Sequence, residues 1–255
     1  MTEATSYAAF WLYKALPDWR QVEARARAAA REEFAGTIER ASDAVTLRGA
    51  YSLAGLRGDT DLLLWVHGSD FAAIHALAVA LRKTELGAYL TEQYSYTGMV
   101  LQSRYAPEHR PAFTKGAAPK TYLSMYPFVK THAWYQLPFE RRRALMGEHG
   151  RIGQPHSALP EVRIETEPDG EGRRSGGVAT APVAAPTGGV LTNTIHCYGL
   201  GDQEFVVAFE ADEPSAIVRM VEELRAAEVR IYTAVDTPIF LGVRKPVREA
   251  LADLG

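Results

Sequence analysis

Gly58-Asp59-Thr60-Asp61-Leu62-Leu63-Leu64 and Gly201-Asp202-Gln203-Glu204-Phe205-Val206-Val207 stand 143 positions apart. Reading the second as a copy of the first decides the fold. The offset persists without a gap: Ile74 falls on Ile217, Leu77 on Met220, Ala78 on Val221, Leu81 on Leu224, Arg82 on Arg225 and Glu85 on Glu228. A second correspondence, Leu16-Pro17 with Leu137-Pro138, has a different offset because the intervening loops differ in length. Self-similarity at a long fixed period marks a duplicated structural unit.

Working outward, each half predicts strand, helix, strand, strand, helix, strand. In the first, residues 6–15 are aromatic and apolar, as strands are. Pro17 opens a helical stretch to about Ser42, with Trp19, Val22, Ala26, Ala30, Phe34 and Ile38 at helical spacing. Strands follow near 46–56 and 61–67, then a helix over 71–86 capped at Ser69 or Asp70, and a strand near 93–101. In the second half the spacing predicts strands near 120–130, 190–198, 204–210 and 237–243, with helices over 138–149 and 214–229. The run Phe205–Phe209 is almost continuously apolar, so both faces of that strand are covered. Helices cover one face, and the other requires a second sheet or a large apolar ligand. The expected fold is α+β: two ferredoxin-like βαββαβ modules packed sheet to sheet as a dimeric α+β barrel within one chain. The expected organisation is an N-terminal module over 1–102, a connector over 103–119 and a C-terminal module over 120–255. An irregular insertion at about 155–190 interrupts the second module. That segment holds five of the 14 prolines and six of the 21 glycines, which argues against regular elements there beyond a short strand at 162–165.

Composition sets outer bounds. The 255 residues are 47% hydrophobic and 23% charged with a formal net charge of −3, which excludes a disordered chain and gives no basic signature of nucleic-acid binding. The lone cysteine, Cys197, excludes an internal disulfide. No signal-peptide pattern opens the chain and no apolar run reaches the roughly 20 residues of a membrane span, so the expected location is the cytoplasm.

No phosphate-binding glycine loop, zinc-type Cys/His pair or G-x-S-x-G elbow is present. On the strand 122–130, Tyr126, Phe128 and Lys130 share a face, with Tyr126 and Lys130 about 13 Å apart. Two readings are open: the two ends of one large flat ligand, or a core-edge tyrosine and a strand-exit lysine. His149 ends the predicted helix with Gly150 as its C′ residue. It is either a metal ligand or a histidine complementing the negative helix end. His196, beside Cys197, is a formal rival.

At these residues the sequence becomes familiar. Tyr126-Pro127-Phe128-Val129-Lys130, Trp134-Tyr135-x-Leu137-Pro138 and Glu148-His149-Gly150-Arg151-Ile152-Gly153 resemble the chlorite dismutase family, and within it the coproheme decarboxylase branch. The likeness continues through Thr192-Asn193-Thr194, Gly199 to Phe205, Leu224-Arg225-x-x-Glu228 and Pro238-x-Phe240-x-Gly242. His109-Arg110-Pro111-Ala112-Phe113 resembles the distal-histidine segment of the actinobacterial type. The resemblance implies a peroxide-dependent enzyme that converts two propionates of Fe-coproporphyrin III (coproheme) to vinyl groups with loss of CO2, giving haem b through a tyrosyl radical. It implies His149 as the axial iron ligand, Tyr126 as the redox-active phenol and His109 as the base for hydrogen peroxide. Lys130 and Arg225 become propionate contacts, while Trp134 and Thr192 become pocket residues. It further implies a ring of five subunits and transient contact with a ferrochelatase. The haem motifs all fall outside the N-terminal module, which is left a structural part.

Two departures from the family pattern stand out. Thr192 occupies a position held by Arg in true chlorite dismutases, by Gln in one decarboxylase class and usually by Ala in the actinobacterial type. Phe205 stands where relatives often carry Trp. The other readings are a chlorite dismutase-like haem peroxidase and a non-catalytic haem-binding sensor of the same fold.

Overall fold

The computed structural model describes residues 6–106, 110–159 and 189–255. The N-terminal copy runs β1 (Tyr7–Ala15), α1 (Ala24–Arg40), β2 (Thr46–Ser52), β3 (Leu62–Gly68), α2 (Phe71–Arg82) and β4 (Leu90–Met99). The C-terminal copy runs β5 (Tyr122–Lys130), α3 (His132–Gln136), α4 (Phe139–Gly153), β6 (Leu191–His196), β7 (Phe205–Ala211), α5 (Pro214–Leu224), β8 (Thr233–Val235) and β9 (Phe240–Lys245). A short α6 (Val247–Ala252) closes the chain. β3 and β7 superpose in sequence end to end at the 143-residue offset.

The strands form one antiparallel ring in the order β7-β6-β4-β1-β3-β2-β9-β5, and β5 pairs back onto β7. β8 lies beside the end of β5. The two copies meet at β2–β9, from Ala50↔Lys245 to Ser52↔Val243, and at β4–β6, through Met99↔His196. Period-two alternation sends one face of every strand inward, where Phe10, Leu63, Trp65, Met125, Val206 and Phe240 fill the barrel. The near-continuous apolarity of β7 follows from having both faces covered.

The barrel interior also holds a buried ion pair. Arg48 on β2 donates from Nε to Glu210 on β7 at 2.9 Å, its Nη2 lies 2.8 Å from the same oxygen as an ion-pair contact, and the Glu210 side chain is fully buried. Asn193 donates to the same carboxylate oxygen at 3.1 Å and accepts from the Phe113 N–H at 3.0 Å. Arg48 further donates to the Ala117 carbonyl at 2.8 Å. The connector is thereby stitched to both copies.

On the outer faces the two copies differ. In the N-terminal copy α1 and α2 bury Phe34, Ile38, Leu77 and Leu81 against Trp11 and Leu64. In the C-terminal copy α5 buries Ala216, Ile217 and Met220 against Phe209 and Ala211, but α4 contributes nothing to that cluster. Its one buried residue, Leu145, packs with Trp134, Ala227 and Val229 instead.

Several boundaries differ from the sequence reading. The stretch after Pro17 is a 3-10 turn (Pro17–Gln21) followed by α1, because Glu23 is extended and caps α1 by accepting from the Ala26 N–H at 3.0 Å. α4 continues through Gly150 to Gly153, so His149 lies inside the helix rather than at its end. Gly150 is not in the left-handed conformation a C′ residue needs, and its carbonyl accepts from the Gln154 N–H as the helix runs into a 3-10 turn. The short strand expected at 162–165 lies outside the described residues. Among the described residues no helix is long and apolar enough to cross a membrane.

Candidate functional site

The outward face of β5, β7 and β6 carries the site. Register places Tyr126, Val207 and Thr194 in one row across the three strands, and Phe128, Phe205 and His196 in the next. These six side chains are half-buried, unlike the sealed outer face of the N-terminal copy. The register also equates the two copies. Trp11 opposes Leu64 on β3, and Tyr126 opposes Val207 on β7, 143 positions later. Trp11 is packed to 3% exposure where Tyr126 is only partly covered.

Tyr126 packs edge-on against Phe209, with ring centroids 6.0 Å apart. Burial pushes its phenol up to about 12; the nearby Asp236 carboxylate acts in the same direction, against Arg225 and Arg230. The phenol is therefore neutral at physiological pH.

Lys130 ends β5. Its ammonium lies 4.6 Å from the Trp134 ring centroid and 5.0 Å from that of Phe128, within cation–π range. Burial lowers its pKa to about 8; Glu204 opposes that shift and Arg230 adds to it. The Lys130 N–H donates to Glu204 at 2.7 Å, as the Ala15 N–H donates to Asp61 at 3.0 Å in the first copy. That carboxylate is thus an architectural feature of the repeat. Trp134 is 3% exposed and belongs to the cluster beneath α4, so it is a core residue with one face on the Lys130 ammonium.

Arg225 caps the C-terminus of α5 and donates to Asp236 at 2.8 Å. Arg230, in the 3-10 turn Glu228–Tyr232, donates to the same carboxylate oxygen at 2.7 Å. Arg230 and Asp236 are absent from the sequence reading. The repeat carries a signal for Arg230, because the offset sets it on Gly87; strand register sets Asp236 on Glu92, an acid in both copies. Thr192 is half-buried on the same outer face, in register with Phe209.

His149 is half-buried in α4, which packs against α5 and the Glu228–Tyr232 turn. Gly147 and Gly150 flank His149 in the sequence, and a side chain added at either would meet open space. The last turn of α4 reaches Leu224 of α5, 3.8 Å from a Cβ built on Gly153. Leu224 and Tyr126 both pack on the Phe209–Met220 cluster. His196 sits against Phe205, 5.2 Å between ring centroids, and burial lowers its pKa, with Arg104 acting in the same direction. His109 lies outside the described residues.

Among the described residues no three His, Cys, Asp or Glu side chains gather as a metal-holding group. A metal carried by a macrocycle needs only one protein ligand. The half-buried sheet face and the cations Lys130, Arg225 and Arg230 suit a flat apolar ligand with carboxylate arms.

The model of the chlorite dismutase family matches residues 27–167 and 181–245. The chain belongs to the chlorite dismutase family. It is 31% identical to a coproheme decarboxylase of Mycolicibacterium smegmatis over 230 residues, covering 89% of this chain and 86% of that one. It is 25% identical to a chlorite dismutase of Ideonella dechloratans, covering 97% and 79%. A variant chlorite dismutase from Candidatus Nitrospira defluvii superposes with a TM-score of 0.79 at 23% identity, covering 99% of this chain and 97% of that one, a likeness in fold. The family fold confirms the duplicated α+β barrel, and membership accounts for the motif string from Tyr126 to Gly242.

Proposed function

We propose that this chain is a hydrogen-peroxide-dependent coproheme decarboxylase. The observation that carries the reading is the Tyr126 phenol, neutral and half-buried on an open sheet face, with the cations Arg225 and Arg230 near it and Lys130 at the far end of the same strand. The relationship to the Mycolicibacterium smegmatis coproheme decarboxylase supports it. The domain roles follow: residues 120–255 bind the porphyrin, residues 103–119 carry the distal base, and residues 1–102 are structural.

His149 holds the iron, with His196 as the alternative axial ligand to be tested. The bound iron porphyrin supplies the two-electron reaction with peroxide. The chain's residues place and protect the organic step. His109 takes a proton from hydrogen peroxide. Lys130 and the arginines fix the carboxylate arms. Tyr126, oxidised to a phenoxyl radical, takes a hydrogen atom from the β-carbon of one propionate. A second electron then leaves the arm, the bond to the carboxylate breaks, CO2 departs and a vinyl group remains. Each arm gives up two electrons and one proton, and one peroxide with two protons takes the electrons to form two waters.

Phe205 removes any role for an indole at its position. Thr192 places no cation near a bound oxyanion, which favours decarboxylation over chlorite decomposition. We further propose a cytoplasmic homopentamer that receives coproheme through transient contact with a ferrochelatase.

The test mixes purified protein, ferric coproporphyrin III and hydrogen peroxide. A three-propionate species followed by haem b is expected by mass spectrometry. Unchanged or merely bleached porphyrin overturns the reading, and oxygen release from chlorite moves the chain to the dismutase reaction.

A further inference from the structure

Within the Arg225–Asp236–Arg230 triad the second guanidinium is peculiar to the C-terminal copy. By strand register the first-copy counterparts are Arg82, Glu92 and Gly87, so one arginine and an acid recur while Arg230 falls on a glycine. A second guanidinium required by the βαββαβ architecture would have a counterpart in both. The triad also lies beside the open sheet face, since Tyr126 senses all three charges and Lys130 senses Arg230.

The geometry is that of a held pair. Both guanidiniums donate to one oxygen of Asp236, Arg225 through Nη1 at 2.8 Å and Arg230 through Nη2 at 2.7 Å. The carboxylate is the more buried partner, 21% exposed against 45% and 34% for the arginines. Each guanidinium has five N–H donors, and the carboxylate engages one on each. The triad keeps a net positive charge with its remaining donors already oriented. Two preset planar forks recognise a carboxylate better than two loose cations, because less rotamer freedom is lost on binding.

We propose that Asp236 is a positioning residue that holds Arg225 and Arg230 as a two-guanidinium receptor for one propionate arm, the arm presented to Tyr126. This rests on the tetrapyrrole reading above and extends it. The receptor holds an arm that the reaction removes, so it discriminates substrate from product. Coproporphyrin carries four propionates, and the product macrocycle retains two.

The test is ligand binding without iron or peroxide. Coproporphyrin III and protoporphyrin IX, both metal-free, are titrated into wild-type protein and into Arg230→Gln and Asp236→Ala variants, following porphyrin fluorescence. Both variants are expected to fold, since Arg230 falls on a glycine in the first copy and Asp236 is a partly exposed residue just beyond β8; circular dichroism checks this. Arg230→Gln should weaken coproporphyrin III about tenfold, the scale of one charge-assisted contact, and leave protoporphyrin IX within about twofold. Asp236→Ala keeps both cations but frees them. It should lower the preference for coproporphyrin III about threefold or more and steepen its dependence on ionic strength. A wild-type preference in either folded variant, or equal weakening of both porphyrins, overturns the receptor. Wild-type protein that binds neither porphyrin overturns the tetrapyrrole reading instead.

Discussion

The Lys130 ammonium sits 4.6 Å from the centre of the Trp134 ring, and burial holds its pKa down to about 8. The charge is present below that pH and lost above it. Carboxylate binding at Lys130 should therefore be strongest near neutrality and weaken as pH rises through about 8, with a higher midpoint in the complex because a bound anion retains the proton. Metal-free coproporphyrin III affinity measured between about pH 6.5 and pH 9.5 should show this fall, and Lys130→Met should flatten it. An unchanged profile in the variant would assign the titration elsewhere. The same shift acts on stability. Between about 8 and 10.5 the unfolded chain binds a proton that the native chain lacks, so this group's contribution to stability rises with pH across that window.

Tyr126→Phe removes one hydroxyl from a partly covered position and keeps the ring against Phe209. The variant should bind ferric coproporphyrin III within about twofold of wild type and lose at least ~100-fold in the rate of vinyl formation, the scale of a lost essential group. Mass spectrometry of the porphyrin after peroxide addition is the measurement. Turnover at the wild-type rate would remove the phenol from the reaction.

His149→Ala should change the ferric absorption and resonance Raman spectra of the iron porphyrin complex, and external imidazole should restore them in part. A spectrum identical to wild type would shift the axial assignment to His196.

The Arg48–Glu210 pair tests the barrel. Arg48→Met leaves a fully buried carboxylate with Asn193 and the Lys120 N–H as its remaining donors, and should cost about 3–5 kcal/mol in urea denaturation. Burial already pushes the Glu210 pKa up, against Arg48 and the other donors. In the variant, stability should fall as pH rises from about 5 to neutrality, because the native carboxyl keeps a proton that the unfolded one has released. Arg48→Met with Glu210→Met should recover more than half of the loss. Additive penalties would mean that the two side chains act independently.

Much of this was legible before any coordinates. The 143-residue offset located β3 and β7 to within one residue, and period two put Tyr126, Phe128 and Lys130 on one face. The end of α4 was not legible, because a glycine after a histidine reads as a stop signal. Gly150 instead stays helical, carried on by the turn at Gln154–His156. Trp134 reads as a pocket aromatic from the motif, whereas packing makes it core on one side and site on the other. Asp236 and Arg230 escaped because their partnership depends on the tertiary approach of the Glu228–Tyr232 turn to the end of β8. Only a comparison of the two copies at Gly87 and Arg230 would have exposed the added guanidinium.

The equivalence of Trp11 and Tyr126 has a consequence for how the molecule breathes. One half has plugged its groove with its own indole, while the other leaves the matching slot for a guest. Amide protons in α4 and α5 should exchange faster with solvent than those in α1 and α2 until a guest is bound, and slow afterwards. On the proposed reading the two copies divide their labour, one framing the barrel and the other completing its core with the bound tetrapyrrole.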